Sequence, residues 1–416
     1  MESITLDALI AQTRAALEPF GHSPSTRWQY DYAWRQFHQY ASAQEQTIFS
    51  PELAERYAQE IRNQHGHGAL PSWKYKLFRR AVLLLVERGE TGDVRWRPLP
   101  TYDPPLLTVP VFAAALRQYG QKLNDAAYGR GTQELYATVA KRFLQYLEQR
   151  NIDAWEAVTL GEVSDFIPHA STFYQPTSMR TVLSAARHFL RFAASTKLMA
   201  ADLSGALPKS FGRKTVLVPT LTPVEEQQLL AAIDRTTTVG RRDFAIVLLA
   251  LRLGLRSVDI ANLQRTDIQW RTNTVTLVQQ KTGRRVELPL LADVGNALID
   301  YLLHGRPTSA VPQVFLRNQA PFVPLSPRHG VYHVVRAAMN RAGLRQEPEQ
   351  PKGPHSLRHS LAARLLAAET PLPVISGVLG HVDKDTTKIY LSTDTQHLRA
   401  CALSLNGIEL AGEGWQ

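Results

Sequence analysis

Two proline-rich stretches divide the 416-residue chain into three parts. The stretches are Arg95–Pro110 and Leu207–Pro223, and clustered prolines cannot continue a helix and hold the backbone extended. A chain of this length exceeds one compact core and suits two or three domains. The sequence therefore predicts two domains, a basic linker and a further domain with a C-terminal tail, over residues 1–100, 108–208, 209–221 and 222–416.

The first two parts show an internal similarity at a spacing of 106 residues. It lies within two segments of helical periodicity, where Thr26, Tyr30, Arg35, Phe37, Gln39 and Tyr40 align with Thr132, Tyr136, Lys141, Phe143, Gln145 and Tyr146. Each segment is followed by an apolar helix with basic residues, Trp73–Arg88 in the first part and Ser178–Thr196 in the second. Two interpretations stay open: a duplication that gives two small helical domains, or a chance likeness of two amphipathic helices.

Composition points to a polyanionic partner. Lysine and arginine outnumber aspartate and glutamate by 47 to 37, and the formal net charge is +10. The excess is spread over both halves of the chain and favours nucleic acid or an acidic membrane surface. The longest apolar runs, such as Ala245–Leu251, are far too short to span a membrane. The single cysteine, Cys401, excludes a disulfide framework and a cysteine zinc site.

The start of the chain is acidic and does not resemble a signal peptide. We therefore expect a cytoplasmic protein. Both apolar helices and the second proline-rich stretch are basic, so they are predicted to clamp DNA, although a solvated charged face is the alternative. Trp34 and Trp73 are expected in the core. The candidate DNA-binding residues are Lys74, Lys76, Arg79, Arg80, Arg180, Arg187, Arg191, Lys209, Arg213 and Lys214.

The third part has a mixed pattern. Thr222 and Glu225 form a capping-box pattern that opens a helix at Pro223. Alternating residues within Thr274–Leu290 predict two antiparallel strands around a turn. Further helices are predicted over Asp243–Leu253, Arg328–Ala342 and His355–Ala368. The fold class is therefore mainly α, with one small antiparallel sheet in the third part.

Six polar residues of the last part lie beside turns and helix starts: Arg256, Lys281, His355, Arg358, His381 and Tyr390. They offer two guanidiniums, an ammonium, two imidazoles and a phenol, without a carboxylate pair. Such a set suits a phosphodiester, because attack on phosphorus builds negative charge that guanidiniums stabilise well. His355 and Arg358 are three residues apart and would share one helix face.

Each residue type has a predicted role. The arginines stabilise the charge at phosphorus, and Tyr390 is a nucleophile that needs neighbouring cations or a base. His355 is expected to manage the tyrosine proton, Lys281 to protonate the leaving oxygen and His381 to hydrogen-bond a phosphate oxygen. No metal is required for these roles. His355 and His359 have a metal-like spacing but lack the glutamate of the H-E-x-x-H pattern, so His359 is expected to make a supporting contact, to the backbone.

The order of these residues resembles the tyrosine recombinase (phage integrase) family in all six of its active-site positions. The stretch GLRSVDIANL is similar to the family's first arginine box, with Asp259 supporting the arginine, and LGHVDKDTTKIYL is similar to its tyrosine box. The resemblance covers Thr222 to Leu405. It also implies SAM-like helical DNA-clamping domains before the catalytic part, and a protein associated with the nucleoid in a prokaryote.

The resemblance implies a mechanism and an assembly. Tyr390 would attack a DNA phosphate, form a 3′-phosphotyrosyl bond and release a 5′-hydroxyl, without ATP or another cofactor. Four protomers would act on two double-stranded DNA sites through a Holliday junction. The C-terminal tail, Leu391–Leu410, would pack on a neighbouring protomer.

Three alternatives stay open from sequence. A type IB topoisomerase or a hairpin resolvase shares the nucleophile and the cationic pocket. A catalytically silent DNA-binding protein would have lost one of the six residues, and this chain retains all of them.

The chain also has two similar units before the catalytic part, where one core-binding domain is common in the family. The extra unit is expected to extend the clamp, bind accessory sites or mediate assembly.

Overall fold

The computed structural model describes residues 4–94, 107–126, 128–208, 220–327, 329–345, 352–381, 387 and 389–393. By contacts the chain divides into two compact units, Pro100–Thr215 and a second unit formed by Met1–Leu99 with Val216–Gln416. The described residues form fifteen α-helices and one three-stranded antiparallel sheet. This confirms the predicted fold class. Among the described helices, none is long and apolar enough to cross a membrane.

The first four helices form what we call the first bundle. Helices α1, α2 and α3 each begin with a side-chain cap. The hydroxyl groups of Thr5, Ser23 and Ser50 accept hydrogen bonds from backbone N–H groups in the first turns of these helices, which otherwise lack partners. Helices α1, α2 and α3 pack on α4. The bounds are Leu6–Leu17 for α1, Pro24–Ser42 for α2, Pro51–Gly66 for α3 and Ser72–Thr91 for α4.

The two tryptophans expected in the core differ in their burial. Trp34 is buried, and its indole N–H donates to the Ala81 carbonyl at 3.0 Å. Trp73 is 59% exposed, so the expectation for Trp73 was wrong. The buried stripe of α4 runs through Tyr75 and Phe78, and a residue two positions before Tyr75 points away from it.

The second bundle repeats the helix order of the first. Its four helices begin 104, 106, 109 and 104 residues after their counterparts, and Phe37 and its counterpart Phe143 are both buried. Four helices at nearly constant spacing favour a duplication over a chance likeness. The bounds are Pro110–Asp125 for α5, Arg130–Gln149 for α6, Leu160–Ser171 for α7 and Pro176–Ser195 for α8.

The third part of the chain holds the remaining elements. The capping box of Thr222 and Glu225 is present at the start of α9, and Ala245–Leu251 is a fully buried segment of α10 that packs among α12, α13 and α14. The helices are α9 (Pro223–Ala231), α10 (Thr238–Arg252), α11 (Ser257–Asn262), α12 (Ala292–His304), α13 (Gly330–Arg341), α14 (Pro354–Ala367) and α15 (Leu372–Leu379).

The sheet follows α11. The two predicted strands are β2 (Thr274–Val278) and β3 (Arg285–Pro289), paired with Val275 opposite Leu288. A two-residue strand, β1 (Ile268–Gln269), pairs with the start of β2 and was not predicted, because two residues carry no alternation to detect. The inward side chains of β2 and β3 join the core of this part, so the turn between the strands is held at its base.

Candidate active site

The candidate residues come from five separate elements. Arg256 is the N-cap of α11, Lys281 lies in the turn between β2 and β3, and α14 carries His355, Arg358 and His359. His381 follows α15, and Tyr390 lies in a 3₁₀ turn, Ile389–Thr393. All six predicted catalytic positions are thus within the described residues.

A glycine turn places Arg256 at its helix start. Gly254 has φ +62°, and a Cβ there would lie 2.8 Å from the Leu361 side chain. A side chain at this position is therefore opposed both by the left-handed backbone and by the space available. The same turn lets the Gly254 carbonyl accept a hydrogen bond from Arg358 Nη1 at 2.6 Å.

The two arginines are held mainly by backbone carbonyls, and we call this group the arginine pocket: Arg256, Arg358 and the carbonyls of Gly254, Leu379 and Gly380. Arg358 Nη2 donates to Leu379 at 2.6 Å, and Arg256 Nη2 donates to Gly380 at 3.2 Å. Arg358 is 4% exposed. Because the acceptors are neutral, they orient the guanidiniums without cancelling their charge.

Both arginines of the pocket remain positively charged although the protein shields them from solvent. Burial, with the neighbouring Arg256 charge, lowers the pKa of Arg358 to about 10. Burial also lowers the pKa of Arg256, although the Asp259 carboxylate opposes that change. A group with a pKa of about 10 is still protonated near neutral pH, so the pocket presents two adjacent positive charges to an anion.

Asp259 is a buried acidic residue beside the arginine pocket. Its side chain is buried on the first turn of α11, and Oδ1 accepts the backbone N–H of Gln280 at 2.8 Å. Burial raises the pKa of Asp259, and that hydrogen bond and the Arg256 charge oppose the rise. Asp259 therefore ties the helix that begins after Arg256 to the hairpin that carries Lys281.

The Tyr390 hydroxyl lies against the pocket. The side chain is 1% exposed, its oxygen is 3.0 Å from His359 Nδ1, and Arg358 also forms a side-chain hydrogen bond with it. Burial raises the pKa of Tyr390, and Arg358 and Arg256 oppose that rise. The phenol is therefore protonated at neutral pH and already faces both a proton acceptor and a cation.

The acceptor at the phenol is His359. Burial, with the charges of His355 and Arg358, lowers the pKa of His359 to about 4, so the ring is neutral at pH 7 and one of its nitrogens is a free acceptor. From sequence, His355 is the residue predicted to manage the tyrosine proton, and His359 is predicted to contact the backbone. The structure instead gives His359 the phenol as partner and leaves His355 exposed one turn away, with ring centroids 6.2 Å apart.

His381 lies on another side of the tyrosine ring. The two rings are nearly parallel, with centroids 6.3 Å apart, and His381 Nδ1 is 2.8 Å from Thr387 Oγ1. Burial lowers the pKa of His381 to about 4, so this ring is neutral as well. Thr387 was not identified from sequence, because a threonine within the tyrosine box carries no pattern of its own.

Lys281 and His355 form the exposed side of the site. The Lys281 side chain is exposed at the hairpin turn. Although His355 is exposed as a residue, the surrounding protein partly desolvates its ring and lowers its pKa, and the charges of Arg358, Lys281 and Arg256 add to that effect. The structure thus brings Arg358, His359 and Tyr390 into direct contact, while Lys281 remains at the edge.

The candidate DNA-binding residues fall into three groups. Lys76, Arg180 and Arg191 are exposed on α4 and α8. Others have partners within the protein: the Lys74 ammonium lies 5.6 Å from the centroid of the Trp73 ring, Arg187 donates to the Pro208 carbonyl, and half-buried Arg79 and Arg80 lie on α4. Lys209, Arg213 and Lys214 lie outside the described residues.

Comparisons with known proteins decide the family. The phage integrase family model matches residues 219–397, and the family's N-terminal SAM-like domain matches residues 116–197. A Sinorhizobium fredii protein named as an integrase/recombinase is 34% identical over 294 residues, which cover 70% of this chain and 71% of that protein. This chain belongs to the phage integrase family. It is a tyrosine recombinase.

A further relative agrees with this recombinase assignment, and two solved structures share the fold. Tyrosine recombinase XerC of Pseudomonas putida is 29% identical over 279 residues, 67% of this chain and 90% of that protein. The fold is similar to that of XerH bound to its difH substrate, with a TM-score of 0.56 and 18% identity over 73% of this chain and 98% of that one. It is also similar to a lambda integrase tetramer bound to a Holliday junction, with a TM-score of 0.53 and 18% identity over 76% and 86% of the two chains.

The matched ranges also locate the extra unit. The SAM-like match lies within the second bundle, and both matches leave residues 1–115 outside. The first bundle thus lies outside the residues that these two family models match.

Proposed function

We propose that this recombinase exchanges DNA strands at specific sites, with Tyr390 as the nucleophile. The observation that carries the proposal is the phenol held between neutral His359, at 3.0 Å, and the Arg358 guanidinium. In the cleavage step the Tyr390 oxygen forms a bond to phosphorus while the bond from phosphorus to the 5′-oxygen breaks. His359 takes the phenol proton, and Lys281 protonates the departing 5′-oxygen.

The arginine pocket supports the charge that develops in this step. The guanidiniums of Arg256 and Arg358 donate to the non-bridging oxygens, and their fixed orientation avoids reorganisation during the reaction. His381 adds a third donor. When the Thr387 hydroxyl donates to Nδ1, the proton of the neutral ring lies on Nε2, from which it reaches a phosphate oxygen.

The product of cleavage is a 3′-phosphotyrosyl bond and a free 5′-hydroxyl. The 5′-hydroxyl of a partner strand then attacks the phosphotyrosine, and Tyr390 recovers its proton as the DNA is resealed. Because the phosphotyrosyl bond retains the energy of the phosphodiester, the reaction requires neither ATP nor another cofactor.

The assembly belongs to the same proposal. We propose a homotetramer on two duplexes that passes through a Holliday junction, supported by the shared fold with the lambda integrase tetramer. The second bundle and the linker would clamp the core site, with exposed Arg180 and Arg191 on the phosphates. Residues 394–410 of the proposed protomer-binding tail lie outside the described residues. The protein would act in the compartment that contains its target DNA.

A plasmid assay tests the proposed function. The target duplex is first obtained by trapping the covalent adduct from a library of randomised duplexes and sequencing the attached DNA. Two copies of that duplex are then placed on one supercoiled plasmid. We expect recombinant circles that require both copies. Relaxation without recombinants would instead assign the protein a type IB topoisomerase activity, and binding without any adduct would make it a silent DNA-binding protein.

A further inference from the structure

A buried glutamine lies between the hairpin of Lys281 and the arginine pocket. Gln279 is the residue after β2 and is 1% exposed. Its Oε1 accepts a hydrogen bond from Arg256 Nη1 and another from the Thr282 hydroxyl at 2.9 Å. Its Nε2 donates to the Leu379 carbonyl at 3.2 Å, the same carbonyl that accepts from Arg358.

The Gln279 amide therefore contributes to holding both arginines in place. It binds Arg256 directly, and it shares an acceptor with Arg358. Its side chain also occupies the space over Gly380, where a Cβ would lie 2.3 Å from Oε1. The glycine of the Leu-Gly-His turn is thus required for Gln279 to enter the pocket.

The same residue fixes the base of the hairpin. The Gln279 backbone N–H donates to the Arg284 carbonyl, and its carbonyl accepts from Gly283, both at 2.8 Å. These bonds close the turn around Lys281. On the far arm, Arg284 Nη1 donates to the His381 carbonyl at 2.6 Å. The hairpin is consequently anchored at two points to the segment 379–381.

We infer that Gln279 is a positioning residue that couples the Lys281 hairpin to the arginine pocket, an inference that rests on the proposed function. Its side chain is 1% exposed and contacts Arg256 and the Leu379 carbonyl, so it would act through these groups and not directly on the reacting atoms. It sets where the Lys281 turn begins relative to Arg256, and so where the ammonium meets the departing 5′-oxygen. Loss of the amide should therefore impair proton donation more than phosphate binding.

The inference predicts a specific dependence on the leaving group. A substrate with sulfur in place of the bridging 5′-oxygen releases a thiolate, which needs little protonation because thiols have a pKa of about 8.5. With such a substrate, the contribution of Lys281 becomes small. A defect that acts through Lys281 should therefore shrink on the sulfur substrate, whereas a defect that acts through the arginines should persist.

The test compares single-turnover cleavage of the adduct-selected duplex with oxygen or sulfur at that position. Gln279→Met keeps the side-chain length and removes both hydrogen-bonding groups. We expect its rate on the oxygen duplex to fall by up to about 100-fold, as for misplaced catalytic groups, and the loss on the sulfur duplex to be several-fold smaller. Lys281→Ala should show the same pattern more strongly, and Arg256→Ala should lose activity on both duplexes.

Controls keep the result decisive. Gln269→Met is the control, because it also replaces a glutamine with methionine. The Gln269 side chain is exposed on β1 and donates to the Thr266 carbonyl, so this variant should cleave both duplexes like the wild type. Thermal unfolding checks that Gln279→Met is folded, and Gln279→Leu replaces it if it is not. Unchanged cleavage, or an equal loss on both duplexes, overturns the inference. If the wild type itself forms no adduct, the proposed function fails instead.

Discussion

The cations of the arginine pocket and the exposed arginines of α8 are held in opposite ways. Arg358 is buried, and each of its terminal nitrogens donates to a fixed carbonyl. Arg180 and Arg191 lie exposed on α8. Buried, oriented charges are already in place for a transition state, whereas exposed charges adapt to a backbone and contribute salt-dependent affinity. The comparison teaches that cleavage and binding should be separable by substitution.

The sharpest separation is expected at the nucleophile. Tyr390→Phe removes the attacking oxygen and leaves the ring in place, so the covalent adduct should disappear while DNA affinity stays close to that of the wild type. Denaturing gels measure the adduct, and fluorescence anisotropy measures binding. An undiminished adduct would show that another residue attacks the phosphate.

The next largest effect is expected within the pocket. Arg358→Ala removes a charge-stabilising donor, and the loss of one such donor typically lowers the rate by about 100-fold or more. Saturating DNA should not restore the rate, because the defect is not one of affinity. Arg271→Ala, at an exposed position between β1 and β2, is the matched control. Near-normal cleavage by Arg358→Ala would remove this residue from the reaction.

The exposed arginines of α8 should behave in the reverse way. Arg180→Ala combined with Arg191→Ala should weaken DNA binding and reduce the salt dependence by about 0.9 log units of affinity per log unit of salt for each lost phosphate contact. At saturating DNA the cleavage rate should match the wild type. A variant that binds normally but cleaves slowly would break the proposed separation.

The smallest predicted effect concerns stability and pH. Burial lowers the pKa of His359 to about 4, whereas a histidine in an unfolded chain has a pKa of about 6.5. Between these values the unfolded state binds more protons, so stability is fully present above about pH 6.5 and decreases as the pH falls towards 4. His359→Gln keeps a hydrogen-bonding group but cannot take up that proton.

Thermal unfolding of the DNA-free protein measures this effect. Over the same pH interval, the midpoint of His359→Gln should fall less than that of the wild type, by a few degrees. His333→Gln, at an exposed position on α13, should follow the wild type. Equal falls in His359→Gln and the wild type would contradict a neutral His359 in the folded state.

Much of the fold follows from local patterns in the sequence. The capping residues Thr222 and Glu225 mark the start of α9, and alternation marks β2 and β3, because these signals depend on neighbours along the chain. The side of α4 that faces the core was harder to predict, and Trp73 shows why: one hydrophobic side chain does not define a helix face.

For the site, the sequence predicted a set of residues but not the contacts among them. The order of six residues suggested the set, and the structure places Arg256, Arg358 and Tyr390 together. Whether His355 or His359 meets the phenol depends on how the turn with Tyr390 packs against α14, and sequence spacing does not determine this. Gln279 was missed for a related reason, because its role arises from contacts with residues 100 positions away.

Locating the covalent bond tests the central claim most directly. The trapped adduct is digested with nuclease and trypsin, and the tryptic peptide 389–399 is fragmented by mass spectrometry. We predict a nucleotide joined through its 3′-phosphate to the Tyr390 oxygen. A nucleotide on any other side chain, or one joined through its 5′-phosphate, would contradict the account.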